Sequence, residues 1–137
     1  MVDREVFARR LARLEELLTS LRELASVERE TFLADRALQA QAERWLHLAA
    51  ECALDLASHL IADKGWQTPV TYREAFRTLE QRGVLPPDLA KKMEGWAGLR
   101  NVLVHMYLDV DHATIHEILR NDLDELEAFA RAVAGAT

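Results

Sequence analysis

A single cysteine, Cys52, rules out an intrachain disulfide and suits a reducing compartment. Five glycines and three prolines in 137 residues leave few places where a helix must stop, and Leu, Ala, Glu and Arg dominate the rest. That balance points to an all-α protein. No apolar run is long enough to span a bilayer, and Met1-Val2-Asp3-Arg4-Glu5 is charged rather than signal-like, so a cytoplasmic protein with no membrane partner is expected. There is no P-loop, no glycine-rich dinucleotide fingerprint and no paired-cysteine zinc site, and no cofactor is expected. Positive charge is scarce too. A net charge of −6 argues against coating nucleic acid through bulk electrostatics, because such affinity comes from neutralising phosphates. The deficit is uneven: residues 64–100 carry a local balance of +3, whereas 1–63 sum to −4 and 101–137 to −5.

Half of the chain is hydrophobic, enough for one core, and the length is that of a single domain, 1–137. Apolar positions at Phe7, Leu11, Leu14, Leu18, Leu21 and Ala25 step by four and three, predicting an amphipathic helix over about 3–25. A second helix is predicted over about 31–61, with Leu38, Ala42, Trp45, Ala49, Cys52 and Leu56 on one stripe and Leu46, Ala53, Ala57 and Ile61 flanking it. Apolar residues on more than one face mark it as the central helix. Lys64-Gly65-Trp66-Gln67-Thr68-Pro69 breaks the pattern. Thr71 and Glu74 have the spacing of a capping box, opening a short helix that Arg82-Gly83 ends. Pro86 and Pro87 start the next helix, and Asp109-Val110-Asp111 caps a last one over about 113–133. The reading is a bundle of about five helices, four of them long.

Within the fourth helix, Leu89, Met93, Trp96 and Leu103 share a face, and Arg100 falls in the middle of it. A buried guanidinium needs a partner, water or a functional cleft. One alternative pairs it with Glu51 or Asp55 of the central helix. The other makes it a phosphate-binding group, for which arginine is well shaped, working with His105, which can exchange a proton near neutral pH. On an ideal helix His105 projects about 140° from Arg100, whereas Tyr107 returns to Arg100's side. Arg100 and His105 can share one substrate within a chain only if the helix ends near Val104; otherwise a second copy completes the site. Gly95 and Gly98, just upstream, would permit close pairing of helices between or within chains.

Other polar groups carry less. Cys52 fits the core pattern as a small hydrophobe, and His47 and His59 fit a helix surface or core. His112 and His116, at i and i+4 near Asp109 and Asp111, have a spacing that can hold a metal, but two histidines alone are a weak signal against an exposed first turn with capping acids.

The run from Leu99 to Asp111, Leu-Arg-Asn-Val-Leu-Val-His-Met-Tyr-Leu-Asp-Val-Asp, resembles the signature of the HepT-like toxins of the HEPN superfamily. Residues 51–59, 68–76 and 83–86 are also similar to the family's, in the same order, so the likeness covers nearly the whole chain. The resemblance implies a HEPN-like helical bundle that dimerises and cuts RNA without metal, as the toxin of a type VII toxin–antitoxin pair. It implies Arg100 and His105 as the catalytic pair, with Asn101 as the polar residue that commonly follows the arginine. It also implies a partner, an MntA-like minimal nucleotidyltransferase that silences the toxin by transferring AMP to the motif tyrosine, here Tyr107. A non-catalytic subunit that binds a nucleotide or serves the transferase is the alternative.

Overall fold

The computed structural model describes residues 4–105 and 110–137, and these form seven helices and no strand. In chain order they are α1 (Arg4–Ala25), α2 (Arg29–Ala34), α3 (Arg36–Asp63), α4 (Tyr72–Gln81), α5 (Pro87–Val104), α6 (His112–Asn121) and α7 (Leu123–Gly135). The architecture is the expected all-α bundle, with two more helices than the five read from periodicity.

Both extra helices arise where an aspartate interrupts a continuous apolar pattern. The helix expected over 31–61 is two. At Asp35 the backbone is extended (φ −119°, ψ 105°), and its carboxylate accepts from the Ala37 and Leu38 N–H groups at 2.9 and 3.1 Å, capping α3. Gln39 closes the other side of the break: its Nε2 donates to the Leu33 carbonyl and to the Phe32 carbonyl, each at 3.0 Å, the latter shared with the Asp35 N–H that caps α2. The helix expected over 113–133 breaks at Asp122, after Asn121. These are poor helix formers, and Leu119, Leu123 and Leu126 stay buried across the break.

The predicted caps are present. The Thr71 hydroxyl accepts from Glu74 N–H at 3.1 Å, and the Glu74 carboxylate accepts in return from Val70 N–H at 2.8 Å. Asp111 caps α6 through Ala113 N–H at 3.0 Å and takes the Thr114 hydroxyl at 2.9 Å, contacts that hold its carboxyl below the usual range. α3 and α4 end alike. Gly65 (φ 68°) and Gly83 (φ 77°) take left-handed backbone, and in each case the following N–H reaches back to a carbonyl of the last turn: Trp66 to Ile61 at 3.1 Å, Val84 to Leu79 at 2.8 Å. The Arg82 guanidinium lies 5.1 Å from the Trp66 ring, tying the two ends together.

α3 is the central helix, packed against each of the other six. Ala42, Leu46, Ala49, Ala53, Leu56 and Ala57 are fully buried along it, small residues alternating with leucines so that neighbours on opposite sides approach closely. Phe7, Leu14, Leu18 and Leu21 of α1 lie in the same core, which Phe76 and Phe129, 5.7 Å apart and edge to face, close at the α4–α7 side. Cutting Leu46 to alanine removes about 2–5 kcal/mol. No helix among the described residues is long and apolar enough to cross a membrane.

Candidate active site

α5 buries Leu89, Ala90, Met93, Trp96, Ala97 and Leu103, so Arg100 projects from a face turned into the bundle. Its side chain keeps 26% of its exposure, and Nε donates to Glu51 Oε1 of α3 at 2.5 Å. Of the two acids named from the sequence, Glu51 is therefore the partner, while Asp55, one turn on, lies 3.9 Å from Arg10. The Asn101 side chain accepts from Arg100 Nη1 at 3.2 Å. Above the guanidinium is the ring of Tyr72, the first residue of α4, with Cζ 5.6 Å from its centre. His47, one turn before Glu51 on α3, places Nε2 3.4 Å from the same carboxylate oxygen. A guanidinium has five N–H groups. One is held by Glu51 and one by Asn101, so the fork is oriented, and among the described residues three donors remain to grip an anion.

α5 ends where the single-chain arrangement required. Val104 is its last residue, and His105 caps it with φ −103° and ψ 28°, its N–H on the Val102 carbonyl at 3.1 Å. Asn101, Val102, Val104 and His105 are exposed, with the apolar Val102 at 55% and Val104 at 39%. Tyr107 and Asp109 lie outside the described residues.

The remaining candidates resolve into packing roles. His116 is buried rather than on an exposed turn: Nε2 donates to the Val27 carbonyl at 3.0 Å and the ring lies 5.3 Å from Phe32. His112 Nε2 is 3.0 Å from Glu43. Those two nitrogens are thus committed within the fold, and no group of three potential metal ligands occurs among the described residues. Cys52 packs half-buried against the core, where burial, and then the Asp55 charge, push its thiol up, away from the nucleophilic form. His59 contacts Arg10, and burial, then that cation, hold its ring below the ordinary value. An added Cβ at Gly98 would stand 2.9 Å from the Arg73 Nη2, the end of a long side chain, whereas at Gly95 it would face open space.

The sequence reading missed Tyr72 and Arg73. They line a cleft of about 690 Å³ between α3, the 68–71 segment and α5, and Asn101 lines it too, so the cleft adjoins the Arg100 cluster. The available signal was an aromatic directly after a helix cap, where it has no core to join, followed by a cation. Tyr72 is 42% exposed. In the basic stretch, Arg77 pairs with Glu94 at 3.0 Å, Arg82 covers Trp66 and Arg100 holds Glu51, but Arg73 makes no ion pair among the described residues.

Comparison with known proteins gives a consistent answer. The tRNA nuclease HepT of Aphanizomenon flos-aquae is 28% identical over 124 residues, covering 90% of this chain and 84% of that protein. The mRNA nuclease HepT of Shewanella oneidensis is 26% identical over 98 residues, covering 72% and 74%. A solved structure of the tri-AMPylated Shewanella oneidensis HEPN toxin in complex with MNT antitoxin superposes with a TM-score of 0.88, covering 97% of this chain and 99% of that one at 20% identity, which shows a common fold. The family model described as Ribonuclease HepT-like matches residues 13–133, a span that takes in every helix except the start of α1 and the end of α7, and the chain belongs to the ribonuclease HepT-like family.

Proposed function

We propose that this chain is a metal-independent endoribonuclease, the toxin of a type VII toxin–antitoxin pair, in which Arg100 binds the scissile phosphate and His105 moves a proton. The observation that carries the reading is the oriented guanidinium of Arg100, with three N–H donors to spare among the described residues, five residues before a histidine that caps an exposed helix end. RNA brings its own nucleophile, the 2′-hydroxyl. Attack on phosphorus requires a proton to leave that oxygen, a proton to reach the departing 5′-oxygen, and donors for the charge on the non-bridging oxygens. His105 serves one of the two proton transfers, water the other, and Arg100 the charge. Asn101 and Glu51 act by fixing the guanidinium, one at Nη1 and the other at Nε.

The active form in this reading is a homodimer. The exposed Val102 and Val104 beside Asn101 and His105 support pairing through the end of α5, and a two-fold arrangement is the commonest for identical chains. The antitoxin is an MntA-like nucleotidyltransferase, and Tyr107 is the acceptor of AMP; the added phosphate and adenosine oppose RNA at the cleft. The test is incubation of the purified chain with total RNA in excess chelator. Wild type is expected to cut, and Arg100→Ala and His105→Ala to be folded and inactive. A requirement for divalent metal overturns the mechanism. Unfolding of Arg100→Ala assigns the Glu51 pair to stability alone, and RNA binding without cleavage by wild type supports a non-catalytic subunit instead.

A further inference from the structure

We propose that the cleft beside Arg100 is a subsite for a neighbouring nucleotide of single-stranded RNA, with Arg73 on its phosphate and Tyr72 against its base; the proposal rests on the ribonuclease reading above. The cleft's volume of about 690 Å³ suits a single nucleotide. Its polar groups suit one as well: Arg73, Asn101, Thr68 and Thr71 all line it. Tyr72 joins the two sites, because its ring borders the cleft and also faces the Arg100 guanidinium, 5.6 Å from Cζ. A base on an aromatic ring is bound without regard to sequence, since every base has a π-face.

Arg73 is distinguished from the other arginines nearby. Arg77, one turn along the same helix, is paired with Glu94, whereas Arg73 has no carboxylate partner among the described residues. Its guanidinium lies against the α5 backbone at Gly98, where even one methyl group would come within 2.9 Å of Nη2. A glycine inside a helix weakens it, so its presence at this point needs a reason. The missing Cβ at Gly98 lets the Arg73 guanidinium lie directly on the α5 backbone beside the cleft. The chain carries −6 overall, so an RNA strand gains little from the general field and depends on local cations such as this one.

The test is fluorescence anisotropy with a short 2′-O-methyl oligoribonucleotide, which the chain cannot cut, at fixed salt, alongside steady-state cleavage of the unmodified RNA. Arg73→Gln is expected to weaken binding about tenfold, the loss of one charge-assisted contact to phosphate, and to raise KM more than it lowers kcat. Arg77→Gln, one turn further along α4, removes the same charge and is expected to change binding less than about twofold. Gly98→Ala improves helix propensity yet displaces the guanidinium, so it should bind severalfold more weakly while melting no lower than wild type. Equal weakening by Arg73→Gln and Arg77→Gln reduces the effect to diffuse charge and overturns the subsite. Wild-type binding and cleavage that Arg73→Gln and Gly98→Ala both match also overturn it, leaving the ribonuclease reading intact. A wild-type chain that neither binds nor cuts RNA overturns both.

Discussion

Replacing Glu51 tests whether Arg100 is a positioned phosphate-binding group or half of a structural ion pair. The Nε to Oε1 contact is 2.5 Å, with side-chain exposures of 26% and 30%, so the pair sits at the edge of the core rather than within it. Unit charges about 4 Å apart at an effective dielectric near 20 attract by about 4 kcal/mol. Desolvation and lost rotamer freedom cancel much of that, and partial exposure screens the remainder, which leaves about 1–2 kcal/mol. Glu51→Gln keeps an oxygen for Nε but loses the charge, so a loss of about 1 kcal/mol, or roughly 3 °C in Tm, is expected. The activity cost is larger in proportion. A guanidinium that drifts by about 1 Å loses alignment with the phosphate, and a displacement of that size costs up to about 100-fold in rate. Glu51→Gln is therefore expected to lower kcat about tenfold and Glu51→Ala further, with each variant folded by circular dichroism. Wild-type kcat and KM in folded Glu51→Ala would refute the positioning argument, because Arg100 would then need no help to find the phosphate.

Mixing inactive Arg100→Ala with inactive His105→Ala is expected to restore part of the cleavage activity if each site draws on two copies; light scattering that finds a fully active monomer refutes the dimeric site. Incubation with the partner transferase, ATP and magnesium is expected to add an AMP-sized mass to wild type and none to Tyr107→Phe by intact-mass spectrometry, whereas a mass gain that persists in the variant moves the acceptor elsewhere. Burial, and then the Asp122 charge, push the Glu125 carboxyl up, so the folded chain holds that proton more tightly than the unfolded chain does. The ionised group thus destabilises the fold at neutral pH, and the penalty is relieved as pH falls through the raised pKa toward the ordinary value of 4.5. Glu125→Gln, which keeps an acceptor for Trp96 Nε1, should melt above wild type at pH 7 and lose the advantage near pH 4; a lower melting temperature at pH 7 contradicts the assignment.

Much of the fold was legible because helix periodicity is a local signal. Leucines at steps of three and four gave α1 and the course of α3, Thr71 with Glu74 gave the start of α4, and Pro87 the start of α5. The breaks at Asp35 and Asp122 escaped because the apolar pattern runs through them. Each is decided by a side chain or turn that competes with the helix at a single residue, with Gln39 at a distance making the first one tolerable. At the site, Arg100 stood out as a cation in an apolar stripe, but choosing Glu51 over Asp55 depended on how α5 crosses α3. Tyr72 and Arg73 are farther still from Arg100 in sequence. Their nearness to it is a product of α4 folding back on α5, which no spacing rule within one helix reports.

The packing of α3 against all six other helices sets a hierarchy of openings. Release of the short α2 and α6 can proceed while the remaining helices hold, but α3 cannot part from its neighbours without dissolving the core, so its amides report the free energy of global unfolding in hydrogen exchange. Glu51 rides on that helix. The carboxylate that aims Arg100 therefore belongs to the slowest-exchanging unit of the molecule, and the guanidinium keeps its bearing through excursions that open the periphery.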